Sequence, residues 1–169
     1  TGLHHVMMTG PPGAGKTMLA ERLPTILPDM SWDERFETTR IHDVAGLLEK
    51  NTFISRRPFR GPHHTATLAS IIGGGSNAKP GEITLAHNGV LFIDEAPEFP
   101  RFILDALRQP LESHMITVNR LQNSYEYPAK FICVLAANPC PCGYYGDPHK
   151  ECVCSSTEFM KYQNKISGP

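Results

Sequence analysis

The sequence predicts an α/β fold with a parallel sheet, because three short apolar runs each end in polar, chemistry-bearing residues. His4–Thr9 stops at a glycine-rich loop, Val90–Ile93 at Asp94-Glu95, and Phe131–Ala137 at Asn138. Short apolar runs bounded by turn residues read as strands buried on both faces, the pattern of a parallel sheet. Longer segments with helical spacing lie between them, and that alternation defines the class.

The first run empties into Gly10-Pro11-Pro12-Gly13, where the chain must turn. A helix is expected from Lys16 to Leu23, with Met18, Leu19, Ala20 and Leu23 apolar. It should end before Pro24 and Pro28, since proline has no N–H to continue the ladder. Ser31 and Glu34 form a capping-box signature for a second helix, with Phe36, Ile41, Val44, Leu47 and Leu48 as its interrupted apolar face. From Asn51 to Lys79 the text is basic and then glycine-rich, with one apolar patch at Leu68–Ile72, and reads as long functional loops. Phe102–His114 should be a helix that Pro110 kinks or breaks. Met115–Arg120 and Ser124–Tyr127, joined through Leu121-Gln122-Asn123, read as a hairpin. Ser155 and Glu158 repeat the capping box and open a last helix to about Asn164.

Composition narrows the functional classes. A chain of 169 residues that is 40% apolar and 20% charged supports one domain, 1–169, with a real core. Sixteen basic and 17 acidic residues give a formal charge of -1, so no global field draws the chain to nucleic acid or a membrane. No apolar run approaches the roughly 18–20 residues of a membrane span, and no signal peptide is evident. A cytoplasmic location is therefore expected. Four of five cysteines crowd into Cys140–Cys154, a local thiol cluster rather than a disulfide framework. The chain starts within an apolar segment and stops at Ile166-Ser167-Gly168-Pro169, which reads as an excised fragment.

Three motifs carry chemistry. Gly10-Pro11-Pro12-Gly13-Ala14-Gly15-Lys16-Thr17 satisfies the phosphate-loop pattern in the required setting of strand before and helix after. Its glycines let backbone N–H groups turn onto phosphate oxygens, and the helix N-terminus adds partial positive charge. Lys16 should reach the β- and γ-phosphates of ATP, and Thr17 should ligate Mg²⁺. Asp94 would hold Mg²⁺ through water, and Glu95 would orient and polarise a water nucleophile, which favours hydrolysis over transfer to an acceptor hydroxyl. Asn138 can donate to the γ-phosphate or the lytic water and so sense the nucleotide.

These elements resemble the AAA+ ATPases. Arg57-Pro58-Phe59-Arg60-Gly61-Pro62-His63-His64-Thr65-Ala66, Gly73-Gly74-Gly75-Ser76-Asn77, Pro80–Gly89 and Asn138-Pro139-Cys140-Pro141-Cys142-Gly143 are similar to the magnesium-chelatase-like branch, specifically the ComM/YifB family. The resemblance implies an αβα P-loop core with strand order 5-1-4-3-2, Walker A at Gly10–Thr17, Walker B at Asp94 and Glu95, and sensor 1 at Asn138. It implies a ring, taken as a homo-hexamer with nucleotide at subunit interfaces. ComM-type members are associated with DNA branch migration, so branched or single-stranded DNA is the implied substrate. The chelatase name points instead to protein remodelling or metal insertion. Family members continue into an arginine-finger segment, a helical lid and sensor 2, and carry an N-terminal domain. A fragment without them should bind nucleotide and hydrolyse it poorly.

Other constellations stay open at this level. Cys140, Cys142, Cys152 and Cys154, with His149 between the pairs, either hold a tetrahedral zinc ion or remain free thiols. Cys133 lies mid-strand and reads as a small apolar residue. His63-His64, with Arg56, Arg57 and Arg60 upstream, either reach a phosphate or form a solvated basic loop. Asn77 and Lys79 could touch a DNA backbone without reading its sequence, and the 115–127 hairpin could project into a ring pore or lie as a plain edge.

Overall fold

A computed structural model describes residues 3–74, 79–120 and 123–166. In chain order, β1 (Val6–Thr9) leads through the glycine-rich loop into α1 (Lys16–Ile26), then α2 (Trp32–Val44), β2 (Phe59–Arg60) and α3 (Leu68–Ile72). A small ribbon follows, β3 (Gly73–Gly74) with β4 (Lys79–Pro80), then α4 (Glu82–Leu85) and β5 (Val90–Ile93). The chain continues through α5 (Arg101–Ala106), α6 (Arg108–Ser113), β6 (Met115–Arg120), β7 (Asn123–Pro128), β8 (Ile132–Ala137) and α7 (Ser156–Ile166).

The main sheet is parallel, in the order β1-β8-β5-β2. Counting only its own strands in chain order, this is 1-4-3-2, the inner part of the expected 5-1-4-3-2 order. No fifth strand joins it among the described residues. Alternation along β5 and β8 divides the core between two faces. Val90, Phe92, Val134 and Ala136 pack with Ala20 of α1 on one face. Leu91, Ile93 and Cys133 pack with Ile71, Ile83, Ile103, Leu107, Ile116 and Phe131 on the other. Two layers of helix thus enclose the sheet.

Several expectations need correction. β1 is parallel as expected but is not a buried strand here: Val6 and Met7 are 41% and 47% exposed, because among the described residues no strand lies on its outer side. α1 runs past Leu23 to Ile26 with Pro24 inside it. The loss of one N–H falls in the last turn, where Thr25 Oγ1 donates back to the Arg22 carbonyl (2.7 Å). Met18 and Leu19 are exposed, and Ala20 is the buried residue of this helix. In α2 the capping box is present as expected, but Phe36, Val44 and Leu47 are exposed. The buried positions are Thr38, Ile41 and His42, which face polar partners as well as apolar ones.

The 102–114 helix breaks at Leu107, upstream of Pro110. That is where proline acts, because its ring and missing N–H disturb the carbonyl four residues earlier, Ala106. The hairpin forms in antiparallel register from Met115↔Pro128 to Arg120↔Asn123, as a ribbon separate from the main sheet. Ile116 and Val118 are buried, so the ribbon packs on the core and is not a plain edge. Its Leu121-Gln122 turn, like Asn77, lies outside the described residues. Two short elements, β2 and α4, sit in text that reads as loop or carries no periodicity. Arg60 of β2 clamps Glu82 of α4 bidentately (2.6 and 2.7 Å).

Three histidines are held by specific hydrogen bonds. His87 Nδ1 accepts from the Lys130 N–H (3.1 Å), which leaves Nε2–H to donate to Glu37 (3.2 Å). His42 Nε2 donates to the Leu85 carbonyl (3.0 Å), and His5 Nδ1 accepts from the Cys133 N–H (3.1 Å). Burial is the main cause that lowers all three below the ordinary 6.5. The unfolded chain therefore takes up protons near pH 6.5 that the folded chain refuses, so stability falls as pH drops through that value. The urea midpoint should be lower at about pH 5.5 than at about pH 7.5, and His87→Gln should flatten the difference. A midpoint that rises on acidification contradicts this account.

Candidate functional site

Strand register sets the site. Thr9 pairs opposite Ala137, and Ile93 opposite Leu135. Gly10, Asp94 and Asn138 consequently leave the sheet along its carboxyl edge, where ligands of α/β proteins bind.

The Gly10 N–H donates to the Ala137 carbonyl (3.3 Å), which anchors the loop's entry to β8. Gly13 and Gly15 hold left-handed φ values of 80° and 79°, conformations that favour glycine. Gly15 caps α1 without a side-chain acceptor, and the first N–H groups of any helix lack intrahelical partners. Pro11 and Pro12 contribute no N–H, and the Ala14 N–H donates to the Pro11 carbonyl (3.3 Å). Lys16 Nζ donates to the Gly10 and Pro11 carbonyls (2.7 and 3.0 Å) and to Asn138 Oδ1 (3.0 Å). Thr17 Oγ1 donates to Asp94 Oδ2 (2.9 Å). Pro12–Met18, Asp94, Glu95 and Asn138 line one open cleft of about 440 Å³.

Glu95 shares a left-handed backbone with Asn51, Asn88 and His114 among the described non-glycine residues. Its φ of 49° is left-handed, a conformation costing on the order of 1–3 kcal/mol for a residue with a Cβ. Asp94 Oδ1 accepts from the Glu95 N–H (2.9 Å), and the Glu95 carbonyl accepts from the Glu98 N–H (2.7 Å). Together they turn the carboxylate, 58% exposed, toward an adjoining cleft of about 270 Å³ that Thr17, Asp94, His63 and His64 also line. There His64 Nδ1 lies 3.7 Å from Glu95 Oε2, and the His63 ring lies 4.1 Å from that of His64.

The arginines do not join this edge. Arg57 donates to the Pro28 and Asn88 carbonyls and pairs with Glu34, while Arg60 holds Glu82. Both make internal contacts, so neither a phosphate site nor a solvated basic loop describes them. The histidines instead line the adjoining cleft, and His64 meets Glu95 in a contact that no spacing in the sequence announces. Arg56 and Lys79 are exposed.

A second cluster adjoins the first. Cys140 Sγ lies 3.3 Å from Cys142 Sγ and 3.7 Å from Cys152 Sγ, and Cys142 lies 3.6 Å from Cys152. With Cys154 the four sulfurs all fall within 4.8 Å of one another and could hold a metal ion. His149 is outside that group, and its N–H donates to Asp147 (2.8 Å). Cys133 is separate and 2% exposed, and burial pushes its thiol up to about 12. The loop also reaches back to the phosphate loop, since Gly143 sits against the Pro12 ring. Nothing in the sequence links those two positions.

A parallel αβα sheet with a glycine loop, two carboxylates and an amide gathered at its carboxyl edge defines a P-loop core of AAA+ type. The chain belongs to the family described as magnesium chelatase, subunit ChlI, whose model matches residues 1–169. It is 48% identical over 169 residues to the competence protein ComM of Haemophilus influenzae, and 47% identical over 168 residues to YifB of Escherichia coli. Both alignments cover 99% of this chain and 33% of the relative, so the chain spans about a third of their length. The fold matches a structure of the complex between BchI and BchD of magnesium chelatase with TM-score 0.65 at 18% identity, covering 99% of this chain and 60% of that one. Among the described residues, no helix is long and apolar enough to cross a membrane.

Cys133 should be the cysteine that resists alkylation. Iodoacetamide at about pH 8, read by mass spectrometry, should leave it unmodified in the native chain and modify it in urea. Labelling of native Cys133 at the rate of a free thiol contradicts its placement in the core.

Proposed function

We propose that this chain is the catalytic core of an ATP-driven AAA+ motor that binds ATP with Mg²⁺ at Gly10–Thr17 and hydrolyses it. The observation that carries the reading is the pair of contacts Lys16–Asn138 and Thr17–Asp94, which draw three separate strand ends onto one cleft. The residues fit the nucleotide. Left-handed Gly13 and Gly15 and the uncapped N-terminus of α1 offer backbone donors suited to phosphate oxygens. Lys16 would balance charge on the β- and γ-phosphates. Thr17 and Asp94 are the oxygen donors suited to Mg²⁺, which when bound neutralises charge on those phosphates.

In this reading Glu95 orients the attacking water and accepts its proton, at the carboxylate that the left-handed turn directs into the cleft. His64 positions that carboxylate from the neighbouring strand end. Asn138 shares its amide between Lys16 and the γ-phosphate and so registers which nucleotide is bound. The cysteine cluster holds zinc, whose preference for four thiolates matches the donor set.

The motor would work in the cytoplasm as a homo-hexameric ring acting on branched or single-stranded DNA. Likeness to ComM supports this, as does exposed Lys79 beside the glycine ribbon. The longer relatives support a whole protein in which an arginine finger, helical lid and N-terminal domain complete what 1–169 begins. The shared fold with BchI supports a second reading, ATP-driven protein remodelling or metal insertion.

Steady-state ATP hydrolysis by the chain extended to the length of its relatives, with and without forked DNA, separates these readings. Lys16→Ala should abolish nucleotide binding. Glu95→Gln should keep binding and lower turnover by roughly 10²–10⁴-fold, and His64→Ala should lower turnover several-fold at unchanged affinity. Stimulation by forked DNA supports the DNA motor, and Lys16-dependent turnover indifferent to DNA favours remodelling. Turnover that survives Lys16→Ala overturns the site assignment.

A further inference from the structure

We propose that Cys140, Cys142, Cys152 and Cys154 form a zinc clasp that fixes the phosphate loop through Gly143, so that zinc occupancy sets the order of that loop and its affinity for nucleotide. The affinity part rests on the nucleotide-binding reading above.

The sulfur spacings identify the kind of ligand. Zn–S bonds of about 2.3 Å place tetrahedral sulfurs about 3.8 Å apart, and the contacts here are 3.3, 3.6 and 3.7 Å. Disulfides need sulfurs about 2.05 Å apart, and all five cysteines are free. The sulfurs stand too close together to surround an iron–sulfur cluster, and four soft donors around one small volume select zinc among common divalent ions. Backbone N–H groups already face the sulfurs: Tyr145 N–H donates to Cys140 and Cys142 N–H to Cys154, each at 3.3 Å. Such bonds steady metal-bound thiolates.

The cluster lies where it controls the loop. Cys140 follows sensor Asn138 by two residues, and Gly143 turns back with φ +87°, its N–H donating to the Cys140 carbonyl (3.0 Å). A Cβ on Gly143 would stand 2.6 Å from Pro12 Cδ and 2.9 Å from Pro12 Cγ. The bare glycine backbone therefore braces the Pro12 ring inside the phosphate loop. Behind it, Gln163 of α7 donates to the Pro139 carbonyl (2.9 Å), and the Tyr145 ring packs on Phe159 at 4.4 Å. From Pro139 to Ser155 no helix or strand orders the segment. One ion crosslinking its two ends would hold Gly143 in place.

The test measures zinc per chain by mass spectrometry, amide hydrogen exchange of the 10–17 and 90–93 segments, and affinity for a fluorescent ADP analogue. It compares the purified chain, the chain stripped with a mercurial thiol reagent and chelator, and Gly143→Ala, which retains all four cysteines. The expected result is near one zinc per chain in the untreated chain and in Gly143→Ala. Stripping and Gly143→Ala should each speed exchange in 10–17 by on the order of tenfold, with 90–93 unchanged, and each should weaken ADP-analogue binding at least several-fold. Four free thiols and no zinc in chain purified from zinc-supplemented cells would overturn the site. Unchanged exchange in 10–17 after stripping would overturn the clasp, and so would equal loss of protection in 90–93, which would make the metal a support for the whole fold. A zinc-bearing chain with the exchange effect but no ADP binding upholds the clasp and sinks the nucleotide reading.

Discussion

The parallel register of β8 with its two neighbours is the constraint on which this structure depends. β8 is the one strand that touches both β1 and β5, so it alone aligns the ends from which the phosphate loop, the carboxylates and the amide emerge. The core enforces that alignment. A slip of one residue would exchange Cys133 and Leu135 with Val134 and Ala136 between the two faces of the sheet. The same slip would carry Asn138 away from Lys16. Apolar packing and the geometry of the cleft are therefore fixed by one choice of register.

Around this edge, local strain and polar contacts do different work. The left-handed turn at Glu95 is offset by bonds within residues 94–98, so the carboxylate's direction belongs to the turn itself. Arg57 and Arg60, by contrast, hold α2, β2 and α4 together at a distance from the cleft. Lys16 and the α1 terminus thus supply the positive charge at the cleft, while Arg57 and Arg60 are held elsewhere.

Much of this edge is legible in the sequence because a tight turn from strand into helix demands glycine at fixed offsets, and because the apolar runs before Asp94 and Asn138 read as buried strands. The capping boxes at Ser31 and Ser155 are legible for the same reason, as local hydrogen bonds with local spacing. What escapes is tertiary. The exposure of β1 depends on which strand lies beside it, and β2 is too short to show a period. Contacts such as His64–Glu95 and Gly143–Pro12 join segments whose separation carries no signal. At Pro24 a helix end absorbs the missing donor, while at Pro110 the break falls one turn before the ring itself.

The position of β1 has a consequence for the order of events during synthesis. Val6 pairs with Val134, some 128 residues later, and β1 has no other neighbour among the described strands. At ribosomal rates of about 5–20 residues per second, β1 waits roughly 6–25 s for its partner to be made. Through that interval its apolar residues are open to chaperones or to other chains, and closing so long a loop is slow. Of the three motifs at the cleft, the glycine loop is the first to be translated, and the strand that carries it pairs with the strand translated last.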